Sequence, residues 1–270
     1  HELGKPFFIN LWMHEPHTPF HVDPKLLNKF SDLDEPDAIY AATLYHADLR
    51  IGELLNALDR IGLADNTLVI FSSDNGPARS VPAAPLALTY DSATGLGYGI
   101  GAAKGITGGR RKYKGSLMEG GIGVPFIARW PGKIPAGKVD KSNFLSAVDL
   151  LPTFCELGGL TLPVDYRPDG VSQVSALMGK EKGTREKPLF WRMSHGYAMV
   201  HKQWKLVSDR KFSTFELFDL VADPLESKDL SKLNNEVTQN LIGMIKDWTK
   251  SLPENPSGPV FSSLRAEPAK

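Results

Sequence analysis

The stretch DNTLVIFSSDNGP, residues 65–77, decides how the chain is read: a β-branched and aromatic run stops abruptly at an acid, an amide, a glycine and a proline. A short apolar run bounded by turn residues predicts a strand buried on both faces of a mostly parallel sheet. Immediately upstream, Leu44, Ala47, Ile51, Leu54, Leu55, Leu58 and Ile61 recur at spacings of three and four. That spacing predicts an amphipathic helix over about 37–62, with Gly62 as its C-cap. Further upstream, PFFINLWM (6–13) predicts a second buried strand, and HEPHTPFHVDP (14–24), with its three prolines, predicts a loop at that strand's end. A strand–loop–helix–strand order implies a right-handed βαβ unit in a parallel sheet. Ligands sit beyond the carboxyl ends of such strands, so His14, His17, Asp74 and Asn75 fall on one rim.

Outward from there, residues 78–114 are rich in glycine and lack periodicity, which predicts a long functional excursion over the same rim. VPFIARWP (124–131) predicts a third buried strand, and DLLPTFCELGG (149–159) a short helix with proline in its first turn and glycine at its end. After Lys187 the pattern changes to PLFWRM, YAMVHK, WKLVSD and FELFDL, short strands at hairpin spacing, followed by a helix near 237–252 and a proline- and serine-rich tail expected to wrap or fray. The expected fold is therefore α/β, a mostly parallel central sheet sandwiched by helices over residues 1–187, with a smaller antiparallel sheet plus helix over 188–270.

Composition limits the partners. Lys+Arg and Asp+Glu both total 31, so no global field points to nucleic acid or an anionic membrane surface. No run of 18 apolar residues predicts a membrane span. The single cysteine, Cys155, excludes an internal disulfide and a thiolate metal site, and its surroundings predict a buried core thiol. The first residues carry neither an initiator methionine nor a signal peptide, so the chain is expected to be the latter part of something longer.

Three clusters could carry chemistry. Asp74-Asn75 is a pair of hard oxygen donors suited to Ca²⁺ or Mg²⁺, although Asp-Asn-Gly is also a common turn. His14 and His17 could move protons near neutral pH, could join His21 in a zinc site, or could be two surface histidines in a polar loop. Arg110, Arg111, Lys112 and Lys114 lie in GGRRKYKGSLMEGG (108–121), either as an anion-binding cluster or as a solvated face. His46, His195 and His201, like the tryptophans, are expected to be structural.

Together, KPFFINLWMHEPHTPF (5–20), DNTLVIFSSDNGP (65–77), KGSLMEGGIGVPFIARWPGKI (114–134), SAVDLLPTFCELGG (146–159) and ELFDLVADPLESKDLS (216–231) resemble the sulfatase family, the formylglycine-dependent hydrolases of the alkaline phosphatase superfamily. Arylsulfatase-A-like and N-acetylgalactosamine-6-sulfatase-like members look nearest. The resemblance implies sulfate ester hydrolysis on a sulfated small molecule or carbohydrate. It makes Asp74 and Asn75 ligands of Ca²⁺ ahead of Mg²⁺, His17 the proton donor to the leaving alcohol, and Lys114 the lysine on the sulfate. His14 sits where some members place a further histidine. Arg110 and Arg111 match no family position, and contact with an anionic substrate is inferred for them from charge alone. The family makes its formylglycine nucleophile from cysteine in a C-x-P-x-R context, whereas Cys155 is followed by ELGG, so no nucleophile is present. No Asp-Asp pair is present either. The chain thus corresponds to the second half of a sulfatase, its partner is the missing N-terminal half, and it is expected to be inactive alone. Members are usually exported to periplasm, cell exterior or lysosome. A phosphomonoester, phosphodiester or phosphonate hydrolase of the same superfamily, and a non-catalytic binder of sulfated glycans, are the competing readings.

Overall fold

A computed structural model describes residues 4–81, 88–91, 95–180 and 185–252. The proline-rich tail falls outside the described residues. The chain forms two compact units, residues 1–138 with 177–179 and residues 139–176 with 180–270.

In the first unit, a short helix α1 (Pro24–Leu27) leads to the long helix α2 (Glu35–Arg60). Asp34 caps α2 by accepting from the Asp37 N–H at 3.1 Å, and Pro36 stands in its first turn. Glu35 and Asp37 complement the positive end of the helix dipole there. Ala38, Ile39, Ala42 and Thr43 are buried on one face of α2. Ile39 joins Phe20, Ala102 and Ala103 in a small apolar cluster, with Tyr40 and Tyr98 packed against it.

The strands of this unit pair differently from the sequence expectation. β1 (Val69–Ser72) pairs antiparallel with β4 (Phe126–Arg129), with Ile70 opposite Ala128. β2 (Leu88–Asp91) and β3 (Gly95–Tyr98) form an antiparallel hairpin inside the stretch expected to be an element-free excursion. A one-turn helix α3 (Glu119–Ile122) precedes β4. Residues 6–13, expected to be a doubly buried strand parallel to β1, pair with no strand among the described residues, and Phe8 and Trp12 are 72 % and 86 % exposed. The parallel βαβ pair is therefore not formed among the described residues. The α/β class stands, as does the antiparallel sheet with its helix.

The second unit begins with a 3₁₀ turn, Ala147–Asp149, running into α4 (Leu150–Leu157), and the Ser146 and Asp149 side chains form a capping box at its start. A short helix α5 (Val174–Leu177) follows. Then β5 (Leu189–Met193), β6 (Gly196–His201), β7 (Trp204–Asp209) and β8 (Phe215–Asp219) form a four-stranded antiparallel meander, each strand beside the next. Asp209 closes the β7–β8 turn: the Ser213 hydroxyl and the N–H groups of Thr214 and Ser213 donate to its carboxylate and hold its pKa down at about 2. Helix α6 (Asn235–Ser251) lays Leu241, Ile242 and Ile245 on Met199, Leu206 and Leu217 of the sheet. Trp248 stacks on Phe190 with ring centroids 4.8 Å apart.

Two ion pairs are sealed inside this unit. Lys205 Nζ lies 2.7 Å from Glu226 Oε1 with both side chains fully buried, and Arg185 Nη1 lies 2.7 Å from Asp149 Oδ1. Asp149 also accepts from the Val171 and Ser146 N–H groups, so its carboxylate ties α4 to two loops. Removing one partner of a buried pair leaves the other charge uncompensated, which costs about 3–5 kcal/mol. Asp149→Asn should therefore lower stability by about that amount, read as a fall in the urea midpoint at unchanged slope.

Candidate active site

The turn at Asp74–Pro77 and the loop of residues 108–121 are joined by backbone. The Gly76 N–H donates to the Gly121 carbonyl at 2.9 Å, and the Lys114 N–H donates to the Pro77 carbonyl at 2.9 Å. The loop is folded on itself by Gly120 N–H to Arg111 O at 2.8 Å. Glycine makes this approach possible. A Cβ on Gly76 would lie 2.0 Å from the Gly120 carbonyl oxygen, and one on Gly120 would lie 2.2 Å from the Lys112 carbonyl oxygen. Gly108, Gly109 and Gly115 take left-handed φ of 64°, 85° and 84°, and Lys112 is held at 63°, where a side chain is strained.

This docking holds the Lys114 backbone against Pro77, two residues past Asn75. The exposed Lys114 ammonium and Asp74 carboxylate make no ion pair among the described residues. The Asn75 Nδ2 donates to the Gly76 carbonyl at 2.8 Å, so its amide oxygen is the end left to coordinate. Oxygen donors of this kind suit a hard cation, but two are few for calcium, which takes about six to eight. No group of three or more His, Cys, Asp or Glu side chains gathers as a metal site among the described residues, which sets aside zinc on His14, His17 and His21. Arg110 and Lys112 are exposed on the same loop, and Arg111 is half-buried.

The histidine loop is built separately. The His17 N–H donates to the His14 carbonyl at 2.9 Å, and the two rings meet edge to face at 6.0 Å. His17 Nδ1 lies 2.7 Å from the Thr18 carbonyl and His14 Nε2 lies 3.3 Å from the Pro19 carbonyl. A carbonyl accepts only, so Nδ1 of His17 carries the proton and Nε2 is the open nitrogen. The loop ends on Phe20, almost fully buried, whose N–H and C=O both bond Tyr98 at 2.9 Å.

Both arms border Tyr40. Its ring meets Phe20 at 6.0 Å, and Gly105 sits so close to the Tyr40 hydroxyl and Pro77 that a Cβ would come within 2.9 and 2.5 Å of them. The structure thus bonds the Lys114 backbone to Pro77, while Tyr40 borders both Phe20 at the end of the histidine loop and Gly105 beside Pro77. Gly76 lets the turn touch the loop, whereas Gly120 and Gly121 let the loop fold on its own carbonyls at Arg111, Lys112, Tyr113 and Ser116. Cys155 is part-exposed rather than buried, and it lines an open cleft of about 510 Å³ with Tyr166 and Arg167 that includes none of the candidate residues.

Known proteins resemble the chain over most of its length. The Sulfatase family model matches residues 1–160, and the N-sulphoglucosamine sulphohydrolase C-terminal model matches residues 111–252. The chain belongs to the sulfatase family. It is 29% identical to N-acetylgalactosamine-6-O-sulfatase of Bacteroides thetaiotaomicron, over 90% of this chain and 47% of the relative, and 32% identical to rat arylsulfatase G over 69% of this chain and 32% of the relative. Among solved structures, Ps i-CgsB in complex with k-i-k-neocarrahexaose superposes at a TM-score of 0.71 and 28% identity, covering 87% of this chain and 48% of that one. The chain spans about half the length, or less, of these relatives.

Gly76→Ala should separate the turn from the lysine loop and cost about 1–3 kcal/mol, the range for forced overpacking. Gly52→Ala, inside α2 with nothing within 4 Å of the added carbon, should instead stabilise by up to about 1 kcal/mol. Thermal melting of the two variants side by side checks both signs.

Proposed function

We propose that the chain supplies the C-terminal half of a sulfatase that hydrolyses sulfate esters on a sulfated carbohydrate, with formylglycine and the remaining metal ligands coming from the polypeptide that matches the relatives' other half. The backbone docking of the Lys114 loop on Gly76 and Pro77 carries this reading, because it ties the main chain of a lysine to the turn that holds two oxygen donors. Support for the substrate class comes from the names of the relatives: one is an N-acetylgalactosamine-6-O-sulfatase and one was solved in complex with k-i-k-neocarrahexaose. Residues 1–187 are then this chain's share of the catalytic domain and 188–270 the smaller subdomain.

A sulfate monoester is a compact anion whose leaving oxygen gains charge as the S–O bond breaks. Fixed charges aimed at that oxygen stabilise the transition state more than the ground state. Lys114 pairs with the sulfate and its bridging oxygen. His17, with Nδ1–H held by the Thr18 carbonyl, presents Nε2, and in its protonated form gives that proton to the departing alcohol. His14, Arg110 and Arg111 bind the anion's periphery. Asp74 and the Asn75 amide oxygen would hold Ca²⁺, with Mg²⁺ the alternative. When bound, the ion would neutralise charge on the sulfate oxygens.

The apolar run at residues 6–13 fits the same proposal. Its composition is that of a strand interior, yet Phe8, Ile9, Leu11 and Trp12 are exposed, as they would be where neighbouring strands belong to the complementary polypeptide.

In the complete enzyme, Lys114→Ala and His17→Ala should each lower kcat by about 10²–10³-fold, the loss expected for one stabilising group in the transition state. Wild-type turnover of an aryl sulfate in either variant would sink the assignment of that residue. The 270-residue chain alone should show no turnover of 4-nitrophenyl sulfate and only weak calcium binding by calorimetry.

A further inference from the structure

The loop that carries His17 must be held still for its Nε2 to meet a leaving oxygen, and its two ends are held by different means. At the C-terminal end, Phe20 is buried at 1 % exposure and bonded twice to the Tyr98 backbone. At the N-terminal end the preceding residues offer little packing, since Phe7, Ile9, Leu11 and Trp12 are all largely exposed. What reaches across there is a side-chain bridge: Glu15, between the two histidines, places Oε1 3.2 Å from Nδ1 of His46 on α2. The pair is half-buried, at 23 % exposure for Glu15 and 39 % for His46, so water screens it only in part. His46 stands six residues beyond Tyr40 on the same helix, and Tyr40 packs on Phe20. Both ends of the loop are thus referred to α2, and His17 lies between them.

We propose that Glu15 and His46 are positioning residues for the sulfatase reaction: the Glu15–His46 bridge clamps the His14–Phe20 loop to α2 and so fixes the His17 imidazole. The bridge does two things. It stops the loop from hinging about Phe20, and it keeps the Glu15 carboxylate turned to His46. A free carboxylate between His14 and His17 would repel the anionic sulfate that those histidines face. The bridge does not depend on the charge of His46, because an Nδ1–H donates to the carboxylate in both the protonated ring and one neutral tautomer. An amide at position 15 offers the same acceptor. The proposal rests on the reading of His17 as proton donor, while its geometric half concerns the loop alone.

The test has two arms, run on Glu15→Ala, His46→Ala and Glu15→Gln. In the 270-residue chain, amide exchange over residues 14–20, which includes the His17 N–H bonded to His14, should speed up by about tenfold in both alanine variants and stay near wild type in Glu15→Gln, with α6 unchanged in all three. In the complete enzyme with an aryl sulfate, the alanine variants should lose about 10–100-fold in kcat, the scale expected when a catalytic group is displaced by about 1 Å, while KM moves less than about threefold and Glu15→Gln restores most of the rate. Unchanged exchange in the alanine variants overturns the clamp. Faster exchange with wild-type kcat in an active sulfatase overturns the positioning role, and so does a Glu15→Gln variant as impaired as Glu15→Ala. Faster exchange in an enzyme that turns over no sulfate ester leaves the clamp standing and removes the sulfatase reading instead.

Discussion

Two backbone segments can touch only where no side chain stands between them, and the candidate site depends on that constraint at Gly76 and Gly120. Their contact is tighter than any Cβ would allow, and the bonds it permits, Gly76 to Gly121 and Lys114 to Pro77, are main-chain bonds. A lysine placed by its backbone keeps its side chain free for a ligand. The arrangement uses glycine, the residue that loses most conformational freedom on folding, five times between positions 108 and 121. The strain at Lys112 adds to that cost, and the hydrogen bonds folding the loop over offset part of it. Binding loops on a fixed scaffold commonly trade stability for geometry in this way.

The two units solve burial by opposite means. The second unit closes an aromatic core under α6 and seals the Lys205–Glu226 and Arg185–Asp149 pairs inside, each charge with a partner within 2.7 Å. The first unit has a small core around Phe20 and Ile39, and around it stand α2, two two-stranded pairs, and turns and glycine contacts. The candidate residues all belong to the first unit, on the loops rather than on the densely packed sheet. Tyr40 links them: its ring supports the histidine loop and its hydroxyl the residues beneath Pro77. Burial of that phenol raises its pKa, which keeps it neutral and suited to packing between the two arms.

Much of this was legible in the sequence where the signal is local. The period of Leu44 to Ile61 located α2 to within two residues at either end, and the alternation after Lys187 located all four meander strands and α6. Hairpin partners lie next to each other in sequence, so nothing remote was needed. Pairing of β1 with β4 is different, because 53 positions separate Ser72 from Pro125, whose carbonyl accepts from the Ser72 hydroxyl. The period-two pattern says a segment is a strand without saying which neighbour it takes or in which direction. The β2–β3 hairpin escaped notice because its strands, LTYD and GLGY, are four residues each, too short for their alternation to stand out from a glycine-rich stretch. The Glu15–His46 bridge was invisible for a plainer reason: charge complementarity across 31 positions has no spacing rule.

The segment at residues 6–13 shows what sequence reading measures. β6, GYAMVH, and the run PFFINLWM are both short and mostly apolar, yet β6 is buried along nearly its whole length while the run is exposed. The difference lies in neighbours: β6 is flanked by β5 and β7 and covered by α6, whereas residues 6–13 have no strand beside them among the described residues. Each exposed apolar side chain forgoes about 25 cal/mol for every Å² left in water, so such a run is costly unless something covers it. The pattern therefore reports the environment a segment is built for, which need not be supplied by the same stretch of chain. The same argument separates the two sheets: the two-stranded β1–β4 pair leaves Phe71 and Ile127 exposed, while the four-stranded meander under α6 buries Leu206 and Leu217 completely.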